Sequence, residues 1–194
     1  MDIIKKLLRL FWINILWIIG CIPVITIGVS TCAAYAVTLR LADDDEEVQS
    51  FGGIARRFFK AYKQDLLQGI LILIFTVVTF GLGGYFLVVL VFNFYSYPLI
   101  ARYSNSFANT LRNSVALFAQ YANSSLKTLG IVIAELVILY LTRYAFFAGF
   151  VILPAVIFYT VSLTVKDIFL RLENPAPVEE ENTESENEGD EPSE

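Results

Sequence analysis

The chain has no histidine, one methionine and two cysteines among its 194 residues. Histidine is the usual general base and the commonest metal ligand, and metal sites need clusters of His, Cys or carboxylate side chains. Cys21 and Cys32 both lie in apolar sequence, and no phosphate-binding glycine loop or pair of intramembrane acids is present. We therefore expect no enzyme, no cofactor, no metal and no nucleic-acid partner.

Charged residues are scarce in three long stretches, 7–42, 66–101 and 128–165, and 56% of the chain is hydrophobic. A straight helix over the first stretch would be about 54 Å long, whereas the hydrocarbon core of a bilayer is about 30 Å thick. Glycine or proline interrupts each stretch near its middle, where the chain can turn. The predicted fold class is therefore all-α, a polytopic membrane protein whose six short spans form three hairpins. The predicted spans are 8–22, 28–42, 66–81, 84–101, 127–142 and 146–166.

The distribution of Lys and Arg supports the hairpins. With three hairpins, thirteen of the fourteen basic residues fall on one side of the membrane, and Arg143 alone lies at an outer turn. If 66–101 were a single span, the segment 102–127 would face outward with three of them. Because basic residues concentrate on the cytoplasmic side, both termini are predicted to be cytoplasmic.

Acidic residues concentrate at the C-terminus. Residues 173–194 hold ten Asp or Glu and no Lys or Arg, so the remaining residues, 1–172, carry a net charge of +5. We divide the chain into a helical membrane domain, 1–172, and a disordered acidic tail, 173–194, since such a composition cannot bury enough apolar surface to fold. A solvated tail and a docking peptide are both compatible with this segment.

The first apolar stretch is predicted to turn at Pro23, Thr26 and Gly28. Fifteen-residue helices on either side reach only about 22 Å, so a tilted pair, a locally thinned bilayer and a re-entrant pair are all compatible with 8–42. The segment "IIGC" ending at Cys21 resembles a lipoprotein signal, but the residues that follow stay apolar instead of forming a polar tether.

A short amphipathic helix is predicted over 50–65. Apolar residues recur there at helical spacing, with basic residues on the opposite face, as in a helix lying in the headgroup plane. A partner-binding role is the alternative. The predicted membrane-surface residues are Phe51, Ile54, Arg56, Arg57, Phe58, Phe59, Lys60 and Lys63.

The segment 97–128 is a polar helix with an apolar stripe between two spans. It either docks another protein or packs as a loop helix on its own bundle, and the sequence leaves both open. The predicted partner-binding residues are Arg102, Tyr103, Asn109, Thr110, Leu111, Arg112 and Asn113.

These motifs resemble the YesL-like family, bacterial integral-membrane proteins of unassigned biochemical function. The resemblance rests on a Pro-x-x-Thr-x-Gly turn at 23–28, a Phe-Phe-Lys helix at 58–60, and the segment from Pro98 through Arg102 to Asn113. It implies a multi-pass protein of the bacterial cell membrane, often encoded beside carbohydrate ABC importers and glycan-degrading enzymes. The expected role is an accessory or assembly partner of such an importer, with permease subunits and the lipid bilayer as partners. Self-association remains open.

Three polar residues fall inside predicted spans: Asn14, Asn93 and Glu135. A carboxylate near the bilayer centre is costly and is a functional candidate by default. Glu135 could anchor the bundle, with Arg143 approaching it on a similar face, or could serve a small transporter or channel acting alone. One carboxylate makes no relay, and the asparagines are weak interhelical contacts of about 1 kcal/mol each.

Overall fold

The computed structural model describes residues 2–81, 86–141 and 146–174. Within these ranges the chain forms eight α-helices and no strand. The predicted turn between the spans 66–81 and 84–101, the outer-turn Arg143 and the tail from residue 175 lie outside the described residues. The helices are α1 (Asp2–Gly20), α2 (Ile27–Ala42), α3 (Phe51–Gln64), α4 (Leu66–Gly81), α5 (Phe86–Arg102), α6 (Phe107–Gln120), α7 (Ala122–Leu141) and α8 (Phe146–Glu173).

The apolar helices pair as the three predicted hairpins. Trp17 Nε1 donates to Thr31 Oγ1 at 3.3 Å between α1 and α2, and α4 packs against α5. Between α7 and α8, the hydroxyls of Thr128 and Thr164 lie 2.6 Å apart. The chain is therefore an all-α polytopic membrane protein, as predicted.

Helix α2 is the centre of the bundle. It packs against α1, α3, α4, α5 and α8, and most of its side chains are buried. The hydroxyls of Thr38 and Ser162 lie 2.8 Å apart, and Lys166 Nζ donates to the carbonyl of Ala42 at 2.7 Å. Both contacts join residues with the same separation in sequence, so α2 and α8 run in the same direction, and α2 ends beside Lys166 of α8.

Within the described residues, length and hydropathy qualify only some of these helices as membrane spans on their own. Val24–Ala42, Ala122–Leu141 and Ile152–Glu173 are long and apolar enough to cross a membrane, and α3 with α4 forms a fourth candidate bent by 70°. Helices α4 and α5 have 16 and 17 residues, which reach only about 24–26 Å. Of the six predicted spans, three meet the requirement alone and a fourth meets it as part of the bent pair.

The first turn lies where the sequence predicts it. Helix α1 ends at Gly20, and a 3₁₀ turn of Val24–Thr26 follows Pro23. Thr26 Oγ1 approaches the carbonyls of Gly20 and Pro23 at 2.8 and 2.6 Å. A hydroxyl there satisfies backbone carbonyls left free at a helix end, which explains a threonine at this position.

Helix α3 packs its apolar face on protein. Ser50 caps the helix by accepting from the Gly53 N–H at 3.0 Å. Ile54 and Phe58 are fully buried in the main core, where α3 contacts α1 and α2. These two side chains therefore do not reach lipid, contrary to the membrane-surface prediction, because the helix faces the bundle. Phe51 and Phe59 remain about half exposed.

Candidate docking site at the basic end of the bundle

One end of the bundle gathers helix ends that are far apart in sequence. Arg9 Nε donates to the Gln49 carbonyl at 3.1 Å, joining α1 to the connection before α3. Asp43, directly after α2, lies near Arg102 at the end of α5 and Lys166 on α8. We call this the basic end, because its helix ends and the short helices α3 and α6 hold the Lys and Arg residues that the structure describes.

Arg102 and Tyr103 both contact the last residue of α8. Arg102 donates from Nε and Nη2 to the two carboxylate oxygens of Glu173, at 3.0 and 2.9 Å. The Tyr103 hydroxyl donates to Glu173 Oε1 at 2.6 Å. Burial, followed by these contacts with Glu173, raises the pKa of Tyr103 to about 12. These two predicted partner-binding residues therefore fasten α8 to α5.

Helix α6 divides the remaining predicted partner-binding residues between two faces. Thr110 is fully buried and donates to the Ser106 carbonyl at 3.1 Å, and Leu111 packs against the small core cluster around Ile100. Asn109, Arg112 and Asn113 are exposed. The helix therefore packs on its own bundle, which is one of the two arrangements that the sequence left open, and it presents a polar outer face.

An apolar groove lies between α6 and the ends of α5 and α8. Its volume is about 390 Å³. Ala116 on its wall is exposed, whereas Leu99 and Leu117 are almost fully buried. The lining residues are Leu99, Tyr103, Asn105, Asn113, Ala116, Leu117, Leu172 and Glu173. A groove of this kind suits an apolar side chain or helix of a partner.

A second, polar depression lies between α2, α3, α4 and α5. It consists of two cavities of about 310 and 380 Å³ that share Arg57, Ala101 and Arg102, and we call it the arginine cleft. Its further polar lining is Arg40, Asp43, Asp45, Gln64, Asp65, Gln68, Tyr103 and Ser104. Arg57 and Arg102 were predicted for other roles; their convergence with Asp65 and Gln68 was missed, because these residues are remote in sequence and no motif links them.

Charge is unevenly compensated in the arginine cleft. Arg40 Nη1 binds Asp45 at 2.7 Å and Glu47 at 2.8 Å. Asp45 Oδ1 also accepts from the Glu47 N–H, and this hydrogen bond is the main reason that the pKa of Asp45 is lowered. Arg57 makes no such ion pair among the described residues, and burial lowers its pKa. Burial also raises the pKa of Asp65 to about 6, against the opposing effect of the Arg57 charge.

The predicted intramembrane residues lie at helix contacts. Asn14 is buried in the core. Asn93 Oδ1 accepts from Thr76 Oγ1 at 2.9 Å between α5 and α4. Glu135 Oε1 accepts from Thr160 Oγ1 at 2.8 Å between α7 and α8. All three are thus placed where they can join helices, while the predicted approach of Arg143 to Glu135 lies outside the described residues.

Comparison with known proteins gives a match to one family and no match to an individual protein. The family described as "Protein of unknown function, DUF624" matches residues 10–97. This range takes in the turn at Pro23 and the Phe-Phe-Lys helix, whereas the motif from Pro98 to Asn113 follows it. No curated protein and no solved structure matched the chain. Over residues 10–97 the chain therefore matches DUF624, the family of the YesL-like proteins, and this match confirms the resemblance carried by the turn at Pro23 and the Phe-Phe-Lys helix.

Proposed function

We propose that the protein is a non-catalytic membrane subunit that binds a partner protein through the apolar groove beside α6. The observation that carries this proposal is the groove itself, about 390 Å³ in volume, at the basic end and bordered by an exposed helix face. Core positions of protein interfaces are apolar and their rims are polar. The groove supplies such an apolar core, and the polar rim beside it consists of Asn109, Arg112 and Asn113.

The partner in this proposal is a permease subunit of a carbohydrate ABC importer. The choice rests on the family resemblance, which implies genes beside such importers. It also rests on an analogy of topology: ABC permeases use a cytoplasmic helix between spans to engage their ATPases, and α6 lies between α5 and α7. The basic end is then cytoplasmic in a bacterial cell membrane, since Lys and Arg favour that side.

A second candidate, a small transporter acting alone, is favoured by one observation. Glu135 Oε2 is buried and has no hydrogen-bond partner among the described residues. A carboxylate with a free oxygen in a span is a candidate for binding a proton or a cation. Uptake that falls in Glu135→Gln while the protein still assembles would favour transport over docking.

The deciding experiment is affinity purification from native membranes in mild detergent, followed by mass spectrometry. Ala116→Arg places a long charged side chain into the groove, whereas Ala119→Arg adds the same side chain to an exposed α6 position outside the groove lining. We expect importer subunits with the wild type and with Ala119→Arg, and their loss with Ala116→Arg. Recovery of a pure homo-oligomer from wild-type membranes would contradict the proposal.

Arg112→Glu tests the polar rim separately. Arg112 is exposed and lies on α6, so its reversal alters the charge that a partner meets without removing a contact of the bundle core. Arg102 is unsuitable for this purpose, since its guanidinium holds Glu173. We expect weaker partner recovery with Arg112→Glu, and a smaller difference from the wild type at higher salt, because salt screens rim charges.

A further inference from the structure

The arginine cleft lies where apolar helices meet polar surface. Helix α3, which is amphipathic, bends by 70° into the apolar α4 at Asp65. Helices α2 and α5 end beside the same cleft, at Ala42 and Arg102. The ends of spanning helices lie at the level of the lipid headgroups. The cleft is therefore placed to meet a headgroup.

Charges of both signs line the cleft. Arg57 from α3 and Arg102 from α5 belong to both of its cavities. Asp43 lines one cavity and Asp65 the other. A simple anion would be attracted by the arginines but repelled by the carboxylates. A simple cation would be attracted by the carboxylates but repelled by the arginines. A ligand that carries one charge of each sign fits both sets.

Two polar atoms beside the cleft lack partners. Arg57 Nε and Gln68 Oε1 are buried, and neither has a hydrogen-bond partner in the part of the chain that the structure describes. Gln68 Nε2 is already used, since it donates to the carbonyl of Asn105. A buried donor or acceptor left unpaired costs about 1–3 kcal/mol. The cleft thus calls for a ligand that accepts from Arg57 and donates to Gln68.

We propose that the arginine cleft binds a phosphoethanolamine group, the headgroup of a zwitterionic phospholipid. Its phosphate accepts from Arg57 and from Arg102 Nη1, whose contact with Asp43 is long at 3.5 Å. Its ammonium donates to Gln68 Oε1 and to the Asp65 carboxylate. Arginine is well suited to phosphate, and an ammonium has three donors. The headgroup is held where α3 turns into α4.

Lipid selectivity tests this directly on the purified full-length protein. Retention of phosphatidylethanolamine, phosphatidylcholine and phosphatidylglycerol is compared by native mass spectrometry, together with the thermal unfolding midpoint after each lipid is added. The choline headgroup has no N–H donor and the glycerol headgroup has no cation. We expect phosphatidylethanolamine to bind about tenfold more tightly than either, which corresponds to about 1.4 kcal/mol. Equal binding of the three lipids would overturn the proposal.

Two neighbouring arginines provide a matched pair of variants. Arg57 lines the cleft, whereas Arg56 is exposed and outside it. We expect Arg57→Gln to weaken the binding of phosphatidylethanolamine, because its phosphate loses a donor, and Arg56→Gln to leave it unchanged. Binding that is equally strong in Arg57→Gln and Arg56→Gln would refute the assignment. If Arg57→Gln fails to fold, Asp65→Asn decides, since it removes the charged partner of the ammonium and is expected to reduce the preference for phosphatidylethanolamine over phosphatidylglycerol. An undiminished preference would refute the assignment.

Competition with free phosphoethanolamine shows whether the cleft binds a lipid headgroup or a soluble compound. A lipid site should release phosphatidylethanolamine only at a large excess of the soluble compound, because the acyl chains add apolar contacts to the binding energy. Competition by the soluble compound at equal concentration would assign the cleft to a soluble ligand and exclude the lipid. If neither the lipid nor the soluble compound binds, the inference is overturned, and the docking groove, which is tested through Ala116, is unaffected.

Discussion

Gly28 of α2 and Gly69 of α4 face each other where the two helix backbones touch. A methyl group added to Gly28 would collide with the carbonyl oxygen of Gly69. One added to Gly69 would lie 2.7 Å from the Cα of Val29. Small residues let membrane helices approach this closely, and packing of that kind drives their association. The central helix α2 therefore meets the second hairpin through glycine.

Gly69→Ala should destabilise the protein by about 1–3 kcal/mol, because backbone atoms on α2 cannot move away from the added methyl group. The measurement is the free energy of unfolding by SDS titration in mixed micelles. Gly130→Ala is the matched control: Gly130 lies within α7, and a methyl group there meets nothing within 4 Å. This control should be neutral or slightly stabilising, since alanine is the better helix former. Equal loss in both variants would contradict the close contact.

Arg102 and Glu173 should show coupled energies in a double-mutant cycle of Arg102→Gln and Glu173→Gln. Their side chains are 21% and 37% exposed, so solvent screens the pair and we expect a coupling of about 1 kcal/mol. Tyr103→Phe removes the third hydrogen bond to the same carboxylate and should lower stability by about 0.5–1.5 kcal/mol. Additive single substitutions would show that the end of α8 is not held by this contact.

Asp65 should make stability depend on pH. Its folded pKa of about 6 lies above the ordinary value of 3.8, so between about pH 4 and 6 the folded protein holds more protons than the unfolded one. The free energy of unfolding should therefore decrease as pH rises across this window. In lipid-free detergent, Asp65→Asn should flatten this decrease and be more stable at pH 7. Asp167→Asn, an exposed position on α8, is the control, and a decrease unchanged in Asp65→Asn would refute the prediction.

Thr160 and Glu135 should respond unequally to substitution. Thr160→Val leaves the carboxylate without its donor and should cost about 1–3 kcal/mol. Glu135→Gln keeps an oxygen that accepts from Thr160 and removes the charge, so it should cost less or stabilise. Thermal unfolding of the two variants in the same detergent compares them. A larger loss in Glu135→Gln would show that the charge itself is required.

The environment of the apolar face of α3 could not be predicted from the sequence. The spacing of Ile54, Phe58 and Phe59 established a helix with one apolar face, and that face is present. Spacing does not say whether the face meets lipid or protein, since both are apolar. In the structure Ile54 and Phe58 contact protein, because α1 and α2 pack against this face of α3.

Local chemistry was sufficient to predict the helical class, the positions of the apolar helices and the turn after Pro23, because hydrophobic run length, proline, glycine and basic residues act on nearby sequence. The arginine cleft depended on tertiary structure. Arg57, Asp65 and Arg102 belong to different elements, and no periodicity relates them. Only the bend between α3 and α4, with the packing of α5 beside it, brings their charges into one cavity, where burial alters the proton affinity of Asp65.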